Sequence, residues 1–139
     1  MDFETASAAE FGTTLKGLGL NLICRDVRAS AAFVEQVFAM RVHRLSADFA
    51  IVTYADQLFQ LHSDGTYHSN PYLALLPENP PRGAGIELRL YNTDPDTAAA
   101  LAAALGYTIL QHPTDKPHGL REAYILDPDG YAWVPSCPI

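Results

Sequence analysis

Two stretches of the chain match each other at a constant spacing of 68 residues. Gly17 pairs with Gly85, Leu18 with Ile86, Leu20 with Leu88, Leu22 with Leu90 and Asp26 with Asp94. Each stretch alternates with the two-residue period of a strand. Leu18, Leu20, Leu22 and Cys24 share one face of the first, and Ile86, Leu88 and Leu90 share one face of the second. Packed under helices, these apolar faces leave Asn21, Arg25, Glu87, Arg89 and Tyr91 on the opposite side. Each stretch ends on an Asp suited to cap a helix, and Pro95 then takes the first helical position of the second. The first helix runs to about Ala39 along an apolar stripe of Ala29, Ala32, Phe33, Val37 and Met40. The second is alanine-rich through Leu105 and stops at Gly106. Short strands follow each helix, at 41–45, 49–54 and 58–62, and again at 107–111, 122–126 and 131–134. A duplicated βαβββ unit explains this order better than two chance strand–helix pairs.

The duplication sets the expected boundaries. Residues 1–16 read as a loose leader, because Gly12, Thr13 and Thr14 break any pattern. Residues 17–63 form the first unit, 64–85 a linker rich in turn residues, and 86–136 the second unit, within one domain at 17–139. At 48% hydrophobic and 18% charged residues, the chain has the material for a core and is not intrinsically disordered.

Charge narrows the partners. Nine Lys and Arg against sixteen Asp and Glu give a net charge of −7. A nucleic-acid binder needs a local basic patch to overcome that repulsion. The densest basic cluster, Arg25, Arg28, Arg41 and Arg44, is interleaved with apolar residues, so no nucleic-acid partner is expected. No run of apolar residues is long enough for a membrane span, and no secretory signal is read at the start. Cys24 and Cys137 make neither a disulfide framework nor a zinc spacing, and Cys24 reads as a small buried hydrophobe. The expected location is a reducing cytoplasm.

One stretch is more specific than the rest. His118-Gly119-Leu120-Arg121-Glu122 leads into Asp127-Pro128-Asp129-Gly130-Tyr131, and the opening unit carries 20–26 followed by Ser30-Ala31-Ala32-Phe33. With the duplicated βαβββ pattern, these residues resemble the vicinal oxygen chelate superfamily of glyoxalase I, bleomycin-resistance proteins and extradiol dioxygenases, over about residues 17–136. The resemblance implies an α+β fold: two βαβββ repeats forming a cup-shaped mixed sheet with helices outside, the ligand inside the cup, and a homodimer. In metal-dependent relatives four positions supply the ligands, and the resemblance places them here at Gly19, Gln60, Glu87 and Val134. Gly19 and Val134 have no donor, and transition metals want three or more good ligands. No metal or other cofactor is therefore expected. The fallback is one divalent ion held by Gln60, His62 and Glu87.

The candidate ligand-binding residues are Asn21, Gln60, His62, Glu87, Arg89, His118, Glu122 and Tyr124. Glu87 is either a functional carboxylate, the catalytic residue if the protein is an enzyme, or the partner of Arg89 in an internal ion pair. Asn21 and Gln60 either serve a polar ligand or satisfy each other and cavity water. Tyr124 falls where relatives place an aromatic ring facing the substrate, or packs in the core with its hydroxyl satisfied. His118 precedes the Gly-Leu-Arg-Glu stretch, where relatives carry an aromatic at the cup mouth; otherwise it is an exposed loop histidine. Trp133 alternates with Val134 and is assigned to the core.

Three functions fit this pattern. One is a metal-free binder of a small, cationic or polar aromatic molecule, as the bleomycin-resistance likeness implies. Another is a divalent-metal-dependent lyase or dioxygenase with an altered ligand set. The last is a metal-free enzyme with Glu87 as general base. Fold alone does not choose among them.

Overall fold

The computed structural model describes all residues 1–139. They divide into two compact units, residues 1–35 with 40–75, and residues 36–39 with 76–139. The first unit opens with α1 (Ala8–Gly12) and β1 (Asn21–Cys24), followed by α2 (Val27–Phe38), whose last residues count with the second unit. Strands β2 (Arg41–His43), β3 (Phe49–Tyr54) and β4 (Gln57–Ser63) complete it. The second unit holds β5 (Glu87–Leu90), α3 (Pro95–Ala104), β6 (Thr108–Asp115), β7 (Leu120–Leu126) and β8 (Ala132–Pro138).

Both sheets are built on one plan. The first has the order β1-β4-β3-β2 and the second β5-β8-β7-β6. In each, the opening strand lies parallel to the last, and the other neighbours are antiparallel. This is the two-repeat α+β architecture that the spacing of 68 residues implied. The register also fixes the equivalent positions. Asn21 pairs with Gln60, and Arg89 pairs with Val134, so Gln60 and Val134 occupy the same place in their sheets.

Local chemistry explains the element ends. The Asp26 carboxylate accepts from the Ala29 amide at 3.1 Å, and Asp94 accepts from the Asp96 amide at 3.0 Å, so both helices start where a cap was expected. Ala55 and Asp56, at φ 49° and 62°, give the β3–β4 hairpin the left-handed turn that matches strand twist. The first unit buries Leu22, Ile23, Val52 and Leu61, and Val27, Ala31 and Val34 along α2. In the second, α3 packs against β6, β7 and β8 through its buried Ala98 and Ala102. Trp133, opposite Ile125, is buried as expected, and its indole N–H donates to Asp127 Oδ2 at 3.0 Å.

Two expectations are corrected. The strands begin later than the alternation suggested. Gly17 and Gly85, both at positive φ, turn the chain before Asn21 and Glu87, and the pairing starts only there. Leu18 is therefore fully exposed, and Ile86 is 60% exposed, instead of lying under a helix. The segment read as a loose leader is folded. Ser7 and Glu10 form a reciprocal capping box at the start of α1, and Phe11 is buried with its ring 6.5 Å from that of Phe49. Glu4 accepts the Arg44 amide at 2.7 Å, and the Arg44 guanidinium donates to the Ala6 carbonyl. Buried apolar area and these bonds offset the entropy that Gly12–Thr14 was expected to keep. No helix is long and apolar enough to cross a membrane.

Candidate functional site

The second sheet gathers charge on one face. β5 places Glu87 and Arg89 there, β7 places Glu122 and Tyr124, and the intervening β8 contributes Val134 and Ser136 opposite Arg89 and Glu122. Arg89 bridges the group. Its Nη1 donates to Glu87 Oε2 at 3.0 Å, and its Nη2 donates to Glu122 Oε2. The Tyr124 hydroxyl donates to Glu87 Oε1 at 2.5 Å. His118 Nε2 lies 3.3 Å from Glu122 Oε2, and Arg89 sits over the Tyr91 ring with its Cζ 5.8 Å from the centroid. Five of the eight residues singled out in the sequence thus form one network.

The electrostatics follow from those contacts. Burial on its own would raise the Glu122 carboxyl, whose side chain is 3% exposed, but the bonds from Arg89 and His118 outweigh it and hold the group below its ordinary value. The Tyr124 and Arg89 bonds hold Glu87 below the carboxylate range as well. Tyr124 is correspondingly pushed up by the neighbouring Glu87. Burial opposes the Arg89 charge, yet the two carboxylates raise its value. Each group is therefore fixed in its charged or bonded form at neutral pH. Ser136, fully buried opposite Glu122, has a hydroxyl with no hydrogen-bond partner.

The first unit holds the other three candidates. His62 Nε2 lies 2.9 Å from Gln60 Oε1, and burial lowers the His62 value, so the neutral ring donates to the amide oxygen. The Phe49 and Tyr67 rings approach the His62 ring at 5.1 and 5.7 Å. Asn21 Nδ2 donates to the Tyr67 hydroxyl at 3.4 Å, so Asn21 and Gln60 find different partners and do not satisfy each other. A pocket of about 340 Å³ opens beside Gln60, lined by Ala8, Phe11, Arg44, Phe49 and Ile51.

A sequence profile for the Glyoxalase/Bleomycin resistance protein/Dioxygenase superfamily matches residues 18–134. The chain belongs to this superfamily. Comparison with curated protein sequences finds no match. Solved structures of the glyoxalase/bleomycin-resistance type share the fold. A glyoxalase/bleomycin resistance protein/dioxygenase family enzyme from Burkholderia phytofirmans PsJN is similar at a TM-score of 0.72 and 21% identity, over 86% of this chain and 96% of its own. A lactoylglutathione lyase from Agrobacterium tumefaciens is similar at 0.64 and 20%, over 88% and 92%. TioX from Micromonospora sp. ML1 is similar at 0.65 and 18%, over 89% and 99%.

Against the superfamily's metal positions, the donor chemistry here does not fit. Gly19 and Val134 carry no side-chain donor. The Gln60 carbonyl accepts from His62, and Glu87, which accepts from Tyr124 and Arg89, is the only carboxylate among the four positions. No group of three or more His, Cys, Asp or Glu side chains is placed to hold an ion. The Gly-Leu-Arg-Glu stretch typical of the glyoxalase likeness does two jobs in this chain. Glu122 joins the Arg89 network, while Arg121 forks onto Asp96 at the start of α3, at 2.8 and 2.9 Å.

Sequence reasoning missed the pocket residues Phe11, Arg44, Phe49 and Ile51. The signal for the first was present: Ser7-x-x-Glu10 before Phe11 is a capping-box spacing. Nothing local marked Arg44, which stands at φ 53°, a conformation that is costly for a residue with a side chain.

Proposed function

We propose that this superfamily member binds a small, polar or cationic aromatic molecule without a metal ion. The observation that carries this reading is the charge balance on the second sheet. Two carboxylates, Glu87 and Glu122, share one permanent cation, Arg89. A ligand cation restores the balance. The Glu87 side chain is 43% exposed and offers its carboxylate to such a cation, with Tyr124 bonded to it as an aromatic surface, while the Tyr91 ring lies against Arg89. Binding needs no chemistry, and none is favoured here. A general base works best with a value near the operating pH, and Glu87 is held below even the usual carboxylate range. A metal-dependent lyase or dioxygenase needs a donor set that Gly19 and Val134 do not supply.

The working assembly in this reading is a homodimer, in which a second copy covers exposed apolar side chains such as Leu18, Ile86 and Leu110. Sedimentation at micromolar concentration tests this, with a species of twice 15.2 kDa expected and a lone 15.2 kDa species contradicting it. The binding reading is tested by elemental analysis of protein purified without chelator, followed by calorimetric titration with 2-naphthylmethylammonium and its neutral analogue 2-naphthylmethanol. The expected result is no stoichiometric divalent metal and tighter binding of the cation. Equal affinity for the two, or one equivalent of metal, overturns it.

A further inference from the structure

We propose that the N-terminal segment is one wall of a second binding pocket, in the first unit, and that this pocket takes an aromatic carboxylate. The inference rests on reading the protein as a small-molecule binder, but it concerns different residues and a ligand group of opposite charge. The pocket has a volume of about 340 Å³, which suits a one- or two-ring molecule. Ala8 and Phe11 of α1 line one side, and Phe49, Ile51 and Gln60 of the first sheet line the other. Phe3 packs edge-on against Phe11 at 5.9 Å and tilts against His43 at 5.4 Å, so the wall is backed by a second aromatic layer. These rings give an aromatic ligand apolar and edge-to-face surface.

The polar lining sets the sign of the ligand. Arg44 is the only charged residue of the pocket. Its Nη1 is given to the Ala6 carbonyl, and no carboxylate is bonded to its guanidinium. The nearby Glu4 carboxylate is engaged through Oε1 with the Arg44 main-chain amide. Gln60 turns its oxygen to His62, which leaves its Nε2 hydrogens for a ligand. Both polar groups at the pocket are therefore donors. A carboxylate, an acceptor with two oxygens and a negative charge, answers both, and a guanidinium fork suits it geometrically. In a chain of net charge −7 an anion needs such a local cation.

The test titrates the full chain with 2-naphthoate and with neutral 2-naphthylmethanol by calorimetry. The carboxylate is expected to bind about tenfold more tightly, as for one charge-assisted hydrogen bond. Arg44→Gln is expected to bring the two affinities together. That ratio separates charge recognition from loosening of the N-terminal wall, which would weaken both ligands alike. Phe11→Leu, which keeps the segment packed, is expected to weaken both about threefold or more, and Phe11→Ala more strongly. Equal affinities in the parent, or a preference for the carboxylate that survives Arg44→Gln, overturn the anion assignment. Unchanged affinities in Phe11→Leu overturn the wall. The cation titration of the second sheet uses another probe and another charge, so either reading can fail while the other stands.

Discussion

The guanidinium of Arg89, on the edge strand β5, reaches across the whole width of β8 to the buried carboxylate of Glu122 on β7. The contact joins residues 33 apart in sequence. It also ties Glu87 and Tyr124 on the same face into one network. The stability of this sheet and the proposed binding thus draw on the same few charges.

Removing the cation exposes the cost of the arrangement. In Arg89→Met the aliphatic stem is kept, and Glu122 is left as a buried carboxylate with only His118 beside it. An uncompensated buried charge of this kind costs about 3 kcal/mol. Urea unfolding at pH 7 is expected to show that loss, and the deficit is expected to shrink as the pH falls and Glu122 takes up a proton. A variant as stable as the parent at pH 7 would show that the bridge contributes nothing.

The Asp127 turn predicts an inverted pH dependence. Burial pushes its carboxyl up to about 6, against donors from Trp133 and the Asp129 and Tyr131 amides. A carboxyl raised in the folded state binds its proton before the unfolded chain does, so its contribution is present at low pH and lost as pH rises through about 6. From this group alone the protein is on the order of 1 kcal/mol more stable at pH 5 than at pH 7.5. Glu87 and Glu122 act in the opposite sense, since both are lowered, and their contribution is lost only as pH falls below the ordinary carboxylate value of 4.5. Denaturant midpoints at pH 5 and 7.5 check this. Asp127→Asn is expected to flatten the difference.

The architecture was legible because it rests on local and periodic signals. Asp26, Asp94 and Gly106 marked helix ends, and the repeated Leu and Ile positions marked the two opening strands. What the periodicity overstated was length, since Leu18 and Ile86 continue the pattern beyond the hydrogen-bonded pairs. The site was legible only as a set of residue types. That Glu87 bonds Arg89 follows from sharing a face two residues apart, whereas the bond from Arg89 to Glu122 depends on strand order. The N-terminal wall was missed because its packing partners, Phe49 and Arg44, lie about 30 to 40 residues away.

Glycine demands differ sharply between two positions at positive φ. Gly130 stands at φ 79°, and a Cβ there would lie 2.7 Å from the Pro81 backbone. Gly119 stands at φ 91° with open space around it. Gly119→Ala is expected to cost about 1 kcal/mol, the conformational strain alone. Gly130→Ala adds a backbone clash and is expected to cost about 2–4 kcal/mol. Thermal or urea unfolding of the two variants side by side checks the order, and equal losses would contradict the close approach to Pro81.

The central claim is that the exposed carboxylate of Glu87 recognises a ligand cation without a metal. The most direct measurement is calorimetric titration of Glu87→Gln beside the parent with 2-naphthylmethylammonium and 2-naphthylmethanol, with metal content determined on both proteins. Glutamine keeps the shape and removes the charge. The account predicts that the cation loses about 1–2 kcal/mol of affinity, the neutral analogue changes little, and neither protein carries stoichiometric metal. One equivalent of zinc, iron, nickel or manganese in the parent that disappears with Glu87 would contradict it, as would a cation affinity that the substitution leaves unchanged.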